Sequence, residues 1–137
     1  MHRVHTFEVY PSIEELNDAV GRAFLARLGT LADEAEVGSR VNLAISGGAI
    51  TTSLLPSLSE RVGEVDWTRV RVWLVDERYV RSGDADRNDD QAWEGFFHAA
   101  TGVELVRMPT SDAWAPGAGS LDEATTAFTA TWREIMG

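Results

Sequence analysis

The chain has 137 residues, 44% of them hydrophobic with five Trp and five Phe, which fits one domain with a packed core and excludes a disordered tail. Twenty-two Asp and Glu oppose twelve basic residues, all Arg, for a formal net charge of −10. A nucleic-acid backbone is therefore not an expected partner, and without Lys there is neither a Schiff-base amine nor a P-loop lysine. With no Cys, disulfides, thiol nucleophiles and thiolate metal sites are excluded as well.

No stretch nears the ~20 apolar residues of a membrane span, and the N-terminus lacks an export-type apolar run. A cytoplasmic protein without a membrane partner is expected. His2 and His5 would lie on opposite faces of a strand, and His98 stands alone, so no metal site is expected.

His2 to Tyr10 alternates as a strand does. Ser12 and Glu15 then form a capping-box pattern that opens a helix to about Ala35, with Ile13, Leu16, Val20, Phe24, Leu28 and Leu31 as its apolar stripe. Gly38-Ser39 closes it. Val41 to Ile45 is a short apolar run of the kind buried on both faces in a parallel sheet, and it ends in Ser46-Gly47-Gly48. Thr52 to Val62 has helical spacing, with Pro56 tolerable only in a first turn. Arg69 to Val75 reads as the next strand, ending abruptly in Asp76-Glu77-Arg78. A polar loop over 81–87 leads to a helix from Asn88 to Ala100 with Ala92, Trp93, Phe96 and Phe97 inward. Val103 to Met108 is strand-like, Asp112 to Ser120 a loop, and Leu121 to Met136 a helix. This alternation predicts a single α/β domain over 1–137: an open parallel sheet with right-handed crossovers and helices on both faces, a Rossmann-like three-layer sandwich.

Ligand sites of such sheets lie beyond the carboxyl ends of the strands. Gly47 and Gly48 allow a sharp turn and close backbone approach, suiting an anionic oxygen, though two glycines at a strand-to-helix turn can also serve geometry alone. In the acidic turn, Asp76 reads as an acceptor or base facing the site, and Arg78 as a planar fork for phosphate or carboxylate. The competing reading is a local Glu77–Arg78 ion pair with Asp76 capping a turn. Arg78, Arg81 and Arg87 would favour an anionic ligand against the acidic field of the chain. Asn88 reads as a helix N-cap or as a residue orienting the site. His98 reads as a surface residue.

The two motifs, in this order and separation, resemble the 6-phosphogluconolactonase family and its relative, glucosamine-6-phosphate deaminase. The matches are Ser46-Gly47-Gly48, Val75-Asp76-Glu77-Arg78-Tyr79-Val80, and Asp86-Arg87-Asn88 with Ala92; the Asp-Glu-Arg-Tyr-Val form is similar to the lactonase branch. The resemblance implies hydrolysis of 6-phospho-D-glucono-1,5-lactone in the pentose phosphate pathway, without metal or organic cofactor. It implies Asp76 and Arg78 as catalytic residues, with Ser46, Gly47, Gly48, Thr51, Glu77, Arg87 and Asn88 about a sugar-phosphate substrate. A non-catalytic sugar-phosphate module and a sugar-phosphate isomerase or deaminase are the alternatives.

Where the family usually follows Ser-Gly-Gly with a small residue and Thr-Pro, this chain has Ala49-Ile50-Thr51, so Thr51 or Thr52 must supply the hydroxyl. The family also continues into a Gly-x-Gly-x-Asp-Gly-His turn whose His is taken as the general base. The sequence thus resembles the N-terminal half of a lactonase. An incomplete sheet is expected, with an edge covered by a second copy of the chain or by a complementary C-terminal fragment.

Overall fold

The computed structural model describes residues 3–114 and 120–137. Three parallel strands form one sheet in the order β1 (Val41–Ile45), β2 (Val70–Leu74), β3 (Glu104–Val106). Val41 pairs with Val70, and Arg71 with Glu104, so β2 is the central strand. Its Val70, Val72 and Leu74 point to one face and Trp73 to the other, the alternation that pleating requires.

Helix α1 (Ile13–Glu34) starts as expected: Ser12 is extended and its hydroxyl accepts from the Glu15 N–H at 3.1 Å. The face it buries follows the predicted stripe only in its second half, where Leu28 is buried and Phe24 packs on the core. Gly21, Leu25, Leu28, Gly29 and Ala32 turn inward, whereas Ile13, Leu16 and Val20 are 59%, 37% and 43% exposed. Close approach decides this. A Cβ on Gly21 would stand 2.2 Å from Leu58 Cδ2, and one on Gly29 3.3 Å from the Glu64 carbonyl, so the small residues mark where the helix settles on residues 55–65.

Residues 52–62 are not one helix. A π-helical turn over Ile50–Leu54 passes into a single α turn, α2 (Leu55–Ser57), and then a 3-10 segment over Ser59–Glu64. Pro56 has no N–H to donate to the preceding turn, and the Leu58 N–H tightens onto the Leu55 carbonyl at 3.0 Å. Helix α3 (Asn88–Gly95) likewise ends earlier than predicted, followed by a 3-10 turn over Phe97–Ala99; Ala92, Phe96 and Phe97 are buried, but Trp93 is exposed. Trp67 meets Phe96 and Phe97 edge-on at 5.5 and 5.7 Å, each pair contributing about 0.5–1.5 kcal/mol beyond burial. α1, α2 and α3 share the core with Val70, Val72 and Leu74 on the first face.

Helix α4 (Leu121–Met136) has the predicted bounds and lies on the opposite face, where Trp73 packs on Phe128 at 6.1 Å and Trp132 at 4.8 Å. The architecture is the expected open α/β sheet with helices on both faces. The expected first strand is not formed by residues 3–10, whose Val4, Phe7 and Val9 are 86–91% exposed; His2 lies outside the described residues, as do 115–119 of the loop before α4. Alternation marks a segment fit for a sheet but does not by itself make the pairing, and residues 3–10 join neither free edge of the three-stranded sheet.

Candidate active site

The carboxyl ends of β1 and β2 open side by side, joined above the last paired residues by the Val75 N–H donating to the Ile45 carbonyl at 2.9 Å. At the end of β1, Gly48 has φ +68, a conformation costly for other residues. Its carbonyl accepts from the N–H groups of Thr51 and Thr52 at 3.1 and 3.0 Å and from both hydroxyls at 3.1 and 2.9 Å. Thr51 is buried with its hydroxyl 3.1 Å from Gln91 Oε1, so it ties the glycine turn to α3 instead of facing the mouth. The neighbouring Thr52 is exposed, as is Ser46.

The acidic turn divides its labour. Asp76 and Arg78 are exposed at the mouth. Glu77 points inward, and its carboxylate accepts from the N–H groups of Arg78 at 2.9 Å, Asn88 at 2.7 Å and Asp89 at 2.8 Å. It therefore caps α3 across eleven residues of sequence, satisfying N–H groups that a helix start leaves orphaned. Asn88 is not the cap. Its Nδ2 sits 3.3 Å from both Asp76 Oδ1 and the Asp76 carbonyl, and its Oδ1 lies where a Gly47 Cβ would come within 2.0 Å. One amide side chain thus holds the glycine turn against the acidic turn.

Arg87 is the largest departure from the expected site. Its side chain is 2% exposed, between Asp89 (Nη2–Oδ2 2.7 Å, Nε–Oδ1 3.3 Å) and Glu77 (Nε–Oε2 3.8 Å). The remaining donors go to the carbonyls of Arg78 at 2.8 Å, Met108 at 2.7 Å and Pro109 at 3.4 Å. All five N–H positions of the guanidinium are thereby occupied by protein. Placed so, it cannot also clasp a substrate; it fixes the Arg78 backbone to the end of β3. The proposed Glu77–Arg78 ion pair is likewise replaced by Glu77–Arg87. Of the three arginines expected near an anion, Arg78 and Arg81 remain exposed.

Asp112, which belongs to no motif of the sequence, anchors the outer loop. Asp112 accepts from the Ser82 N–H at 2.9 Å and its hydroxyl at 2.7 Å, and these bonds, the backbone one foremost, hold its carboxyl well below the usual range. Ser111 N–H donates to the Val80 carbonyl at 2.8 Å, and Trp114 Nε1 to the Tyr79 hydroxyl at 3.1 Å. Behind this loop an apolar cavity of about 240 Å³ lies between Tyr79, Met108, Leu121 and Phe128. It is separate in character from the polar mouth. His98 is exposed, its Nδ1 2.9 Å from the Trp93 carbonyl at the far end of α3.

This is an α/β protein whose candidate site lies at the carboxyl ends of adjacent parallel strands. More specifically, the chain belongs to the glucosamine-6-phosphate isomerase/6-phosphogluconolactonase family, which its residues 11–137 match. The 6-phosphogluconolactonase of Mycobacterium tuberculosis is 27% identical over 125 residues, covering 90% of this chain and 49% of the relative. That of Rhizobium meliloti is 37% identical over 78 residues, 56% of this chain and 30% of the relative. The solved 6-phosphogluconolactonase from Shewanella baltica superposes with a TM-score of 0.64 at 18% identity, over 88% of this chain and 49% of that one, a likeness of fold. The chain spans about half the length of these relatives, or less.

Proposed function

We propose that the mouth binds a phosphorylated sugar lactone and that the domain to which it belongs hydrolyses 6-phospho-D-glucono-1,5-lactone to 6-phosphogluconate. The observation that carries this reading is Asn88 joining Gly47 to Asp76, which sets an exposed carboxylate and the exposed Arg78 beside a glycine turn in a chain of this family. In the reaction, water adds to the C1 carbonyl, a base takes its proton, and the ring oxygen leaves as the new hydroxyl. Arg78 stabilises anionic oxygen, on the phosphate or the tetrahedral centre, and Asp76 accepts from sugar hydroxyls or from the water.

The test is hydrolysis of freshly generated lactone by this 137-residue chain, beside Asp76→Ala and Arg78→Ala and a blank that measures spontaneous opening. A rate above the blank that falls roughly 10²-fold in each variant, the scale of losing one stabiliser of developing charge, would place catalysis within this stretch without the family's Asp-Gly-His turn. Saturable binding of 6-phosphogluconate without turnover, abolished by Arg78→Ala, would support the sugar-phosphate reading while removing catalysis from this stretch. Neither binding nor turnover would refute both.

A further inference from the structure

Helix α3 meets the glycine turn along one stripe. Asn88 fills the space a Gly47 Cβ would need, the Gln91 side chain reaches Thr51, and a Cβ on Gly95 would come 3.0 Å from the Thr51 carbonyl oxygen. Positions 88, 91 and 95 share a helix face, so the contact runs as a continuous line. Asn88 ties this line to Asp76, and Gln91 ties it to the outer loop: Gln91 Nε2 donates to the Ala85 carbonyl at 2.8 Å, while its Oε1 lies 3.1 Å from the Thr51 hydroxyl.

The direction of each bond is determined. A carbonyl can accept only from the NH₂ group of the amide, which leaves the amide oxygen for Thr51. The Thr51 hydroxyl has one proton and two acceptors in reach, Gln91 Oε1 and the Gly48 carbonyl, each at 3.1 Å. That carbonyl already takes the N–H groups of Thr51 and Thr52 and the Thr52 hydroxyl, more donors than its lone pairs can serve. The proton therefore goes to Gln91. At the other end Ala85 sits in a tight turn, where the Asp84 N–H donates to the Arg81 carbonyl at 3.2 Å, the Arg87 N–H to the Asp84 carbonyl at 3.1 Å and the Asp86 N–H to Asp84 Oδ1 at 2.9 Å. A displacement at Ala85 is thus passed to Arg81, an exposed cation.

We propose that Gln91 is a positioning residue of the site: it locks the outer loop to the glycine turn, so that the backbone receiving an anionic sugar and the loop bearing Arg81 hold one geometry around it. An amide is the chemistry required, because one side chain must donate to a carbonyl and accept from a hydroxyl. A carboxylate of the same length would set a second acceptor against the Ala85 carbonyl, and a thioether would serve neither partner. The ligand named here rests on the sugar-phosphate reading; the lock itself does not.

Amide hydrogen exchange, read by NMR on the isotope-labelled 137-residue chain, tests the lock without ligand. Thr51→Val removes only a hydroxyl from the glycine turn, yet exchange at Asp86 and Arg87 in the outer loop should quicken roughly 5-fold, the worth of one hydrogen bond. The amides of β2 should keep their rates, which a general loss of stability would not allow. Thr51→Ser, with its hydroxyl, should leave the loop as in the wild type, and Gln91→Met should reproduce Thr51→Val and cancel any further effect of it. Calorimetry with 6-phosphogluconate then reads the site: Gln91→Met and Gln91→Glu should each weaken binding roughly 5-fold. Unchanged exchange at 86–87 in Thr51→Val, quickening shared by β2, or an affinity of Gln91→Met equal to that of the wild type would overturn the proposal. A wild-type chain that binds no 6-phosphogluconate but shows the exchange pattern would keep the lock and refute the sugar-phosphate reading, so the two failures are distinct.

Discussion

Replacing Arg87 by Met removes a cation that faces both Glu77 and Asp89, each with its side chain 2% exposed. Met matches much of the volume, so the change isolates the guanidinium. Two carboxylates are left in a poorly solvated site, and the carbonyls of Arg78 and Met108 lose donors at 2.8 and 2.7 Å. Breaking a buried ion pair from one side costs about 3–5 kcal/mol, and each hydrogen bond lost from the guanidinium to a carbonyl about 1 kcal/mol, although Glu77 keeps three N–H donors and Asp89 keeps Arg107 at 3.4 Å, which soften the loss. A net destabilisation of about 4 kcal/mol is expected, a large share of the ~5–15 kcal/mol that holds an ordinary domain together. Urea unfolding at pH 7, read by circular dichroism, measures it by linear extrapolation. Arg87→Lys should lie between wild type and Met, since an ammonium keeps the charge but cannot fork to Asp89 and reach three carbonyls. Arg87→Met with Asp89→Asn should regain at least about 1 kcal/mol, because one stranded charge is gone. A loss under about 1 kcal/mol in Arg87→Met, or no recovery in the double variant, would refute the view that this cluster fastens the acidic turn.

Gly47→Ala places a methyl 2.0 Å from Asn88 Oδ1, so it should cost about 1–3 kcal/mol and lose most of that penalty in an Asn88→Ala background; additive effects in the double-mutant cycle would contradict the contact. The Ser82–Asp112 clasp should be acid-resistant: because the folded carboxyl titrates below its unfolded value near ~4, its contribution is complete above that value and fades only as pH falls through the depressed one. The Ser82 amide resonance followed from pH 6 downward should hold its position through ~4 and move only below; movement centred at ~4 would deny the clasp.

What could be read in advance was whatever short-range chemistry determines. Ser12 caps its helix through a residue three positions on, and the runs Val41–Ile45 and Val70–Leu74 are strands as their apolar residues predict, but only β2 is interior; β1 is an edge strand with Asn42 and Ala44 exposed, not buried on both faces. Orientation was less legible. The buried face of α1 is chosen by Gly21 and Gly29 meeting residues 58 and 64, and hydropathy assigns small residues no weight. The same holds for the site. Ser46, Gly47, Gly48, Asp76, Glu77, Arg78 and Asn88 do gather at one end of the sheet, but their division between mouth and scaffold follows from pairings eleven or more residues apart. Glu77 reads locally as a partner for Arg78 and in space serves α3; Arg87 reads as a free cation and in space is enclosed. Thr51 has the hydroxyl that a phosphate would want, yet it is turned towards Gln91.

The bond from Arg87 to the Arg78 carbonyl closes a ring of ten residues at its base, and Ser82 is fastened to Asp112 partway round. Lengthening the stretch between Gly83 and Asp86 costs little entropy in an already closed loop, about 0.6 kcal/mol per doubling of length, but the Ala85 carbonyl accepts from Gln91 Nε2 at 2.8 Å and so links this stretch through Gln91 to Thr51 of the glycine turn. Residues can therefore be added or recharged at Gly83 and Asp84 with Asp76 and Arg78 staying in place, so long as the Ala85 carbonyl keeps its donor.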